Sequence, residues 1–231
     1  MSGATALPVR PPAFGRGYRI VPSRFPPAGV FDDLVDPDEL DLLYEIEART
    51  NDRLADELGQ IHLVAPDDRL VGPGTTPIMA AFTHPSPAGS RFSDGSYGVF
   101  YCADGEDVAI RETAYHRERF LRFTNEPPCR IEMRLYTGRL QRDLHDGLDD
   151  RLPAAVLDPA DYKTSQQWGR DLRDANAHGL TYPSVRYPGG RCAALFRPPA
   201  IGPLRQDRHY LYRFDGERIT DVVTLGGYRS L

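Results

Sequence analysis

Lysine is almost missing from this sequence. Lys163 is the only one, and every other basic side chain is an arginine. A high-GC genome produces that bias as readily as any function does. The net charge is −5, which argues against a chain built to coat nucleic acid, because such chains carry a basic excess that replaces the phosphate counterions. Cysteine is scarce too. Cys102, Cys129 and Cys192 are odd in number and far apart, so they form neither a CxxC metal pair nor a disulfide framework. They read as reduced, buried thiols of a cytoplasmic protein. No apolar run approaches the roughly twenty residues that span a bilayer, so no membrane segment is predicted. Residues 1–16 lack a basic start followed by an apolar stretch, which excludes a secretory signal; they read as a flexible Pro/Gly-rich arm. GxGxxG, P-loop, HExxH and GxSxG patterns are all absent. The six histidines, His62, His84, His116, His145, His178 and His209, show no ligand spacing, so no metal is expected.

What is present describes one α+β domain over residues 17–231. The 231 residues are 40% hydrophobic and 26% charged, enough for a single well-formed core. Proline and glycine collect at 22–29, 71–77, 84–89, 183–190 and 197–203, a pattern of long loops on one domain. Gly17 to Val21 alternates as a first strand. Asp36-Pro37 opens a helix with an apolar stripe of Leu40, Leu43, Tyr44 and Ile46, and residues 51–60 extend it or form a second one. Ser96 to Cys102 is a strand, followed after Asp104-Gly105 by a helix running through Val108, Ala109, Glu112, Thr113 and His116. Arg130 to Tyr136 alternates as a half-buried strand, and Leu140 to Leu144 reads as a short edge strand. A helix starts near Thr164 or Ser165, places Trp168, Leu172 and Ala175 on one face, and stops at Gly179. Leu180 to Tyr182 and Arg191 to Phe196 are strands, the latter central. A final hairpin turns at Asp215-Gly216. Strands and helices mix without a βαβ rhythm.

Three segments together resemble the RES domain, a family named for its Arg, Glu and Ser residues. The first is Gly17-Tyr18-Arg19-Ile20. The second is Ser90-Arg91-Phe92-Ser93, then Gly98-Val99-Phe100-Tyr101, then Ala109-Ile110-Arg111-Glu112-Thr113. The third runs from Ser165-Gln166 to Tyr182-Pro183-Ser184-Val185-Arg186 and Gly189-Gly190. The resemblance implies a fold like that of ADP-ribosyltransferases, with mixed sheets around an NAD-binding cleft. It also implies a toxin encoded beside an Xre-type antitoxin, with NAD+ as substrate. The family serine matches Ser184, with Ser165 a weaker match. The long segment Asp32–Gly89 departs from the family pattern and has no assigned role.

Those residue types suit that chemistry. Cleaving the nicotinamide–ribose bond builds positive charge on the ribose, which a carboxylate stabilises; Glu112 is the candidate, its plain alternative being a solvated helix residue paired with Arg111 or His116. Arginine's planar fork suits a pyrophosphate, so Arg19 and Arg91 are placed there, against salt-bridge or unpartnered surface alternatives. Tyr101 offers a ring to stack on nicotinamide or ribose, or is a core tyrosine. Ser184 offers a hydroxyl to ribose or phosphate, or is a turn serine. Arg24, Tyr18 and Trp168 stand near the motifs, Trp168 as core. His116, one turn beyond Glu112, reads as a surface histidine. Glu112, Arg19 and Tyr101 thus form the expected catalytic set, with Arg91 and Ser184 binding NAD+.

Three functions follow as expectations: NAD+ cleavage with transfer of ADP-ribose to water or phosphate, ADP-ribosylation of a cellular protein, or an idle module that works only by binding its antitoxin. The antitoxin is expected to lay a segment into a cleft around Arg19 and Glu112. Any DNA contact would belong to that partner. Homodimerisation within the complex is compatible with the sequence, which shows no exposed stripe that proves it.

Overall fold

Alternation of apolar and polar side chains organises most of the chain into strands. The computed structural model describes residues 3–24, 29–33, 56 and 58–226. The helix expected from Asp36 lies outside the described residues, as does most of 51–60. Among the described residues nine strands form one mixed sheet: β1 (Val9–Arg10), β2 (Arg16–Pro22), β3 (Phe100–Ala103), β4 (Cys129–Arg139), β5 (Leu144–Asp146), β6 (Gly179–Pro183), β7 (Arg191–Leu195), β8 (Arg205–Phe214) and β9 (Ile219–Leu225). The spatial order is β1-β5-β6-β7-β3-β2-β4-β8-β9. Only β5 and β6 run parallel. The expected α+β class holds, built on one sheet rather than several, with β7 in its interior as expected.

Helices cover both faces. α1 (Val30–Asp33) and α2 (Thr76–Thr83) lie on one, α3 (Glu106–Phe123) and α4 (Lys163–Asp174) on the other. The two-residue period sorts the strand side chains between them. Tyr18, Ile20, Tyr101, Ala103, Cys192 and Ala194 join the core under α3 and α4. Val21, Phe100, Cys102, Ala193 and Leu195 join the core under α2.

Several elements differ from the sequence reading, each for a physical reason. The expected flexible arm is corrected over its described part: Ala4 and Leu7 are buried, and β1 pairs with β5 through Val9 opposite His145. The strand expected from Ser96 starts only at Phe100, because Gly98 lies so close to α2 that a Cβ would fall 2.2 Å from the Ala81 carbonyl oxygen. The unexpected α2 takes its cap from a distance. The Asp32 carboxylate accepts from the amides of Thr75 at 2.9 Å and Thr76 at 3.0 Å, while Pro77 in the first turn is the local sign of the start. α3 continues past His116 to Phe123. α4 begins at Lys163, whose amide donates to the Asp161 carboxylate, and ends at Asp174, followed by Asn176 at φ 61°. Gly179 therefore opens β6 rather than stopping the helix, and Ala175 is exposed while Ala177 is buried. Trp168 packs against the core as expected.

Gly169 sets the spacing between α4 and the chain at Phe92. A Cβ there would stand 2.1 Å from the Phe92 carbonyl oxygen. In an exposed helix interior Gly→Ala stabilises by about 1 kcal/mol. Here the clash reverses the sign, and Gly169→Ala is expected to cost about 1–3 kcal/mol and to lower Tm in thermal unfolding. An unchanged or higher Tm would show that α4 backs away freely.

Candidate active site

The Asp104-Gly105 turn sends α3 back over the sheet. Val108 and Ala109 bury against the strands, and Glu112 follows one turn later, half-buried, on the same stripe. The loop after β6 brings Ser184 to it. The amides of Arg186 and Tyr187 donate to Ser184 Oγ at 3.2 and 3.0 Å, and the hydroxyl proton points to Glu112 Oε1 at 2.6 Å. The Cys192 thiol from β7 donates to the same oxygen at 3.8 Å. Burial, then the charge of Glu112, pushes that thiol well above its ordinary range, so it stays a donor. One carboxylate oxygen is thus fixed by two neutral groups. Oε2 has no hydrogen bond among the described residues. The alternative pairing of Glu112 with Arg111 or His116 does not occur.

Arg91 occupies a turn held from several sides. Ser90 N donates to Ser93 O at 2.7 Å. The Tyr101 hydroxyl accepts from Phe92 N at 2.9 Å and lies 2.8 Å from Ser90 Oγ. Tyr97 donates its hydroxyl to Phe92 O at 2.7 Å, and the Gln166 amide of α4 donates to Ser90 O and Ser93 O. Arg91 itself is 8% exposed. It donates to the carbonyls of Val156 at 3.2 Å and Asp158 at 2.9 Å and lies 4.6 Å over the Tyr162 ring. Burial raises the Tyr101 hydroxyl to about 12, so it stays neutral. Its hydroxyl braces the Arg91 turn.

Tyr182 joins these pieces. Its ring meets Phe92 edge-on at 4.9 Å. Its hydroxyl is driven well above the ordinary range by burial, with further upward pushes from Cys192, Glu112 and Tyr101 and an opposing pull from Arg91. Nearer the surface, Arg186 stacks 3.5 Å over Tyr115 and donates to the Pro159 carbonyl, and Arg119 stands 5.8 Å over Tyr162. Arg91, Arg119 and Arg186 have no carboxylate partner among the described residues. An acidic chain thus keeps three guanidiniums out of salt bridges on the α3 side of the sheet, where the Asp158 carboxylate is held below its ordinary range by the amides of Asp161 and Ala160 and, in part, by the nearby charge of Arg91.

The structure brings Glu112, Arg91, Tyr101 and Ser184 to one face of the sheet. It does not bring Arg19, and the expected cleft around Arg19 and Glu112 is corrected accordingly. The strand period turns the Arg19 side chain to the α2 face, 4.5 Å over the Phe100 ring. There it donates to the Tyr101 main-chain carbonyl at 3.0 Å, and its Nε has no partner among the described residues. Burial lowers it to about 10, leaving it charged. Ser165 is fully buried and donates to the Tyr162 carbonyl, a helix-start contact. Arg24 is exposed, and Tyr18 packs on the α3 face. Cys192, Gln166, Arg119, Arg186, Tyr115 and Tyr162 were missed. Only the Gln166 and Arg186 positions lay inside a quoted motif; the others carry no spacing signal. Among the described residues no group of three or more His, Cys, Asp or Glu side chains is placed to hold a metal ion, and no helix is long and apolar enough to cross a membrane.

His116 stands one turn beyond Glu112 on α3 and is exposed, as the sequence reading expected. The protein around its ring, followed by Arg186, Arg91, Arg117 and Arg119, lowers it to about 4. The unfolded chain takes up that proton near 6.5 and the folded chain does not, so stability falls as pH drops from about 6.5 to 4. His116→Asn is expected to flatten that part of the stability–pH curve in denaturant titrations; an unchanged slope would place the proton uptake elsewhere.

The RES domain matches residues 68–215, a span that holds Arg91, Tyr101, Glu112 and Ser184 but not Arg19. The uncharacterized protein y4oC of Sinorhizobium fredii is 32% identical over 213 residues, covering 88% of this chain and 84% of its own length. A chain of the M. tuberculosis MbcT–MbcA toxin–antitoxin complex is a distant structural likeness, with a TM-score of 0.40 and 16% identity over 56% of this chain and 74% of its own. By its match over residues 68–215 and its relative, the chain belongs to the RES domain family.

Proposed function

We propose that this chain degrades NAD+ by cleaving the nicotinamide–ribose bond and acts as the toxin of a bacterial toxin–antitoxin pair. The observation that carries the reading is the pairing of Glu112, held through one oxygen and open at the other, with guanidiniums that lack a carboxylate partner. A dinucleotide needs both. Its pyrophosphate needs forked cations, and its ribose needs a negative charge as the bond to nicotinamide lengthens.

In this reading the C1′–N bond breaks with its electron pair leaving on the nicotinamide nitrogen, which becomes neutral. Glu112 stabilises the oxocarbenium-like ribose. An oxygen of water or phosphate then bonds to C1′, and water gives up a proton in doing so. Ser184 and Cys192 keep the carboxylate aimed without neutralising it, as expected of a preorganised electrostatic site. Tyr101 serves by holding Arg91. An Xre-type antitoxin, as family resemblance implies, would silence the toxin by covering the face with Arg91, Glu112 and Arg186. ADP-ribosylation of a protein would use the same donor half of the site; label passing from NAD+ to a cellular protein would favour that reading.

Purified chain, freed from any partner, is expected to consume NAD+, with Glu112→Gln slower by roughly 10²–10³-fold at unchanged Tm. Ser184→Ala, which releases one hydrogen bond worth about 1.4 kcal/mol, should slow turnover about tenfold. No loss of NAD+ from the native chain, even with phosphate and cell lysate added, would favour an idle binding module instead.

A further inference from the structure

One polar atom beside the proposed site has no use in the folded chain. The Tyr162 hydroxyl is buried and has no hydrogen-bond partner among the described residues. Burying such a group without a partner is unfavourable, and native proteins keep few of them. Its surroundings indicate what it lacks. Arg91 lies 4.6 Å over the ring and Arg119 5.8 Å from it, so an atom arriving here enters a positive field and meets an O–H able to donate. An anionic oxygen answers both.

The strap that carries Tyr162 is held in a way an anion can undo. Residues 156–162 connect to the rest of the site by carbonyls: those of Val156 and Asp158 accept from Arg91, and that of Pro159 accepts from Arg186. Neutral carbonyls are weaker partners for a guanidinium than phosphate oxygens, which make charge-assisted, often two-pronged bonds. The strap's own turn is self-contained, since the Asp158 carboxylate accepts from the amides of Ala160 and Asp161. Val156 stays fixed in the core, so the part free to shift when the arginines change partners is the turn from Asp158 to Asp161.

Resting on the NAD+ reading above, we infer that Tyr162 is a substrate contact: a phosphate oxygen displaces the strap carbonyls from Arg91 and accepts the Tyr162 hydroxyl proton. Ser165, whose hydroxyl donates to the Tyr162 carbonyl, and the Lys163 amide on Asp161 hold the backbone on which this side chain pivots.

Tyr162→Phe tests the idea while keeping the ring on which Arg91 stacks. Calorimetric titration of the native chain and the variant would use two probes, ADP-ribose and inorganic phosphate. Affinity for ADP-ribose is expected to fall about tenfold, the loss of one hydrogen bond to a charged group, with KM for NAD+ rising alongside. A fall for inorganic phosphate alone would still support the contact and assign the oxygen to free phosphate. Thermal unfolding supplies the second readout: removal of an unpartnered buried hydroxyl should raise Tm by about 2–4 °C. Equal affinities for both probes, or a lowered Tm, would overturn the inference while leaving NAD+ cleavage standing. A native chain that binds neither probe would overturn the NAD+ reading and this inference together.

Discussion

A strand can present a side chain to one face of its sheet only by sending the neighbours to the other, and the whole site depends on that constraint. Tyr101 and Cys192 point beneath α3, while Phe100, Cys102 and Arg19 point beneath α2. The sheet is thus a partition. On one side it backs a carboxylate with a hydroxyl and a thiol. On the other a guanidinium grips the Tyr101 carbonyl, tying the strand that supplies Tyr101 to its neighbour β2. A one-residue slip in either strand would exchange the two populations.

Positive and negative charge are held in parallel ways within the site. Glu112 is held by neutral donors, so its negative charge is oriented but not cancelled. Arg91 and Arg186 are held by neutral acceptors, so their positive charges are kept in the same condition. Pairing each with an opposite charge inside the protein would have been the obvious way to offset desolvation, and it would have left a site with nothing to offer an ionic ligand. The positions are fixed by groups that do not compete for the charge, which is what preorganisation requires.

The class of fold and most strands were legible because alternation survives in single sequences: β4, β6, β7 and the last hairpin fall where their patterns put them. The Arg91, Tyr101, Glu112 and Ser184 set was legible through motif order. Arg19 was misplaced because a motif gives the element but not the face, and face depends on register with β3 and β4. α2 was missed although Thr75 and Pro77 stand at its start, because the stretch 71–77 reads as loop from its glycines and prolines and the cap bonds come from Asp32, more than forty positions away in the chain. The strap at 156–162 has no periodic pattern, and its importance comes from carbonyls, which every residue type supplies. Cys192 read as inert because a buried thiol looks alike in sequence whether or not a carboxylate lies beside it.

The chain has a single tryptophan, and its position gives the protein an optical reporter of its own. Trp168 packs against the core on α4, where a Cβ on Gly3 would meet the ring at 3.3 Å. Two residues before it stands Gln166, and one residue after it Gly169 touches Phe92, so the helix that bears the indole also braces the Arg91 turn. Intrinsic emission therefore follows the docking of the segment around Gly3 and the seating of α4, with no dye attached. Peeling away the amino-terminal segment would change the colour of the light before it changed the content of secondary structure.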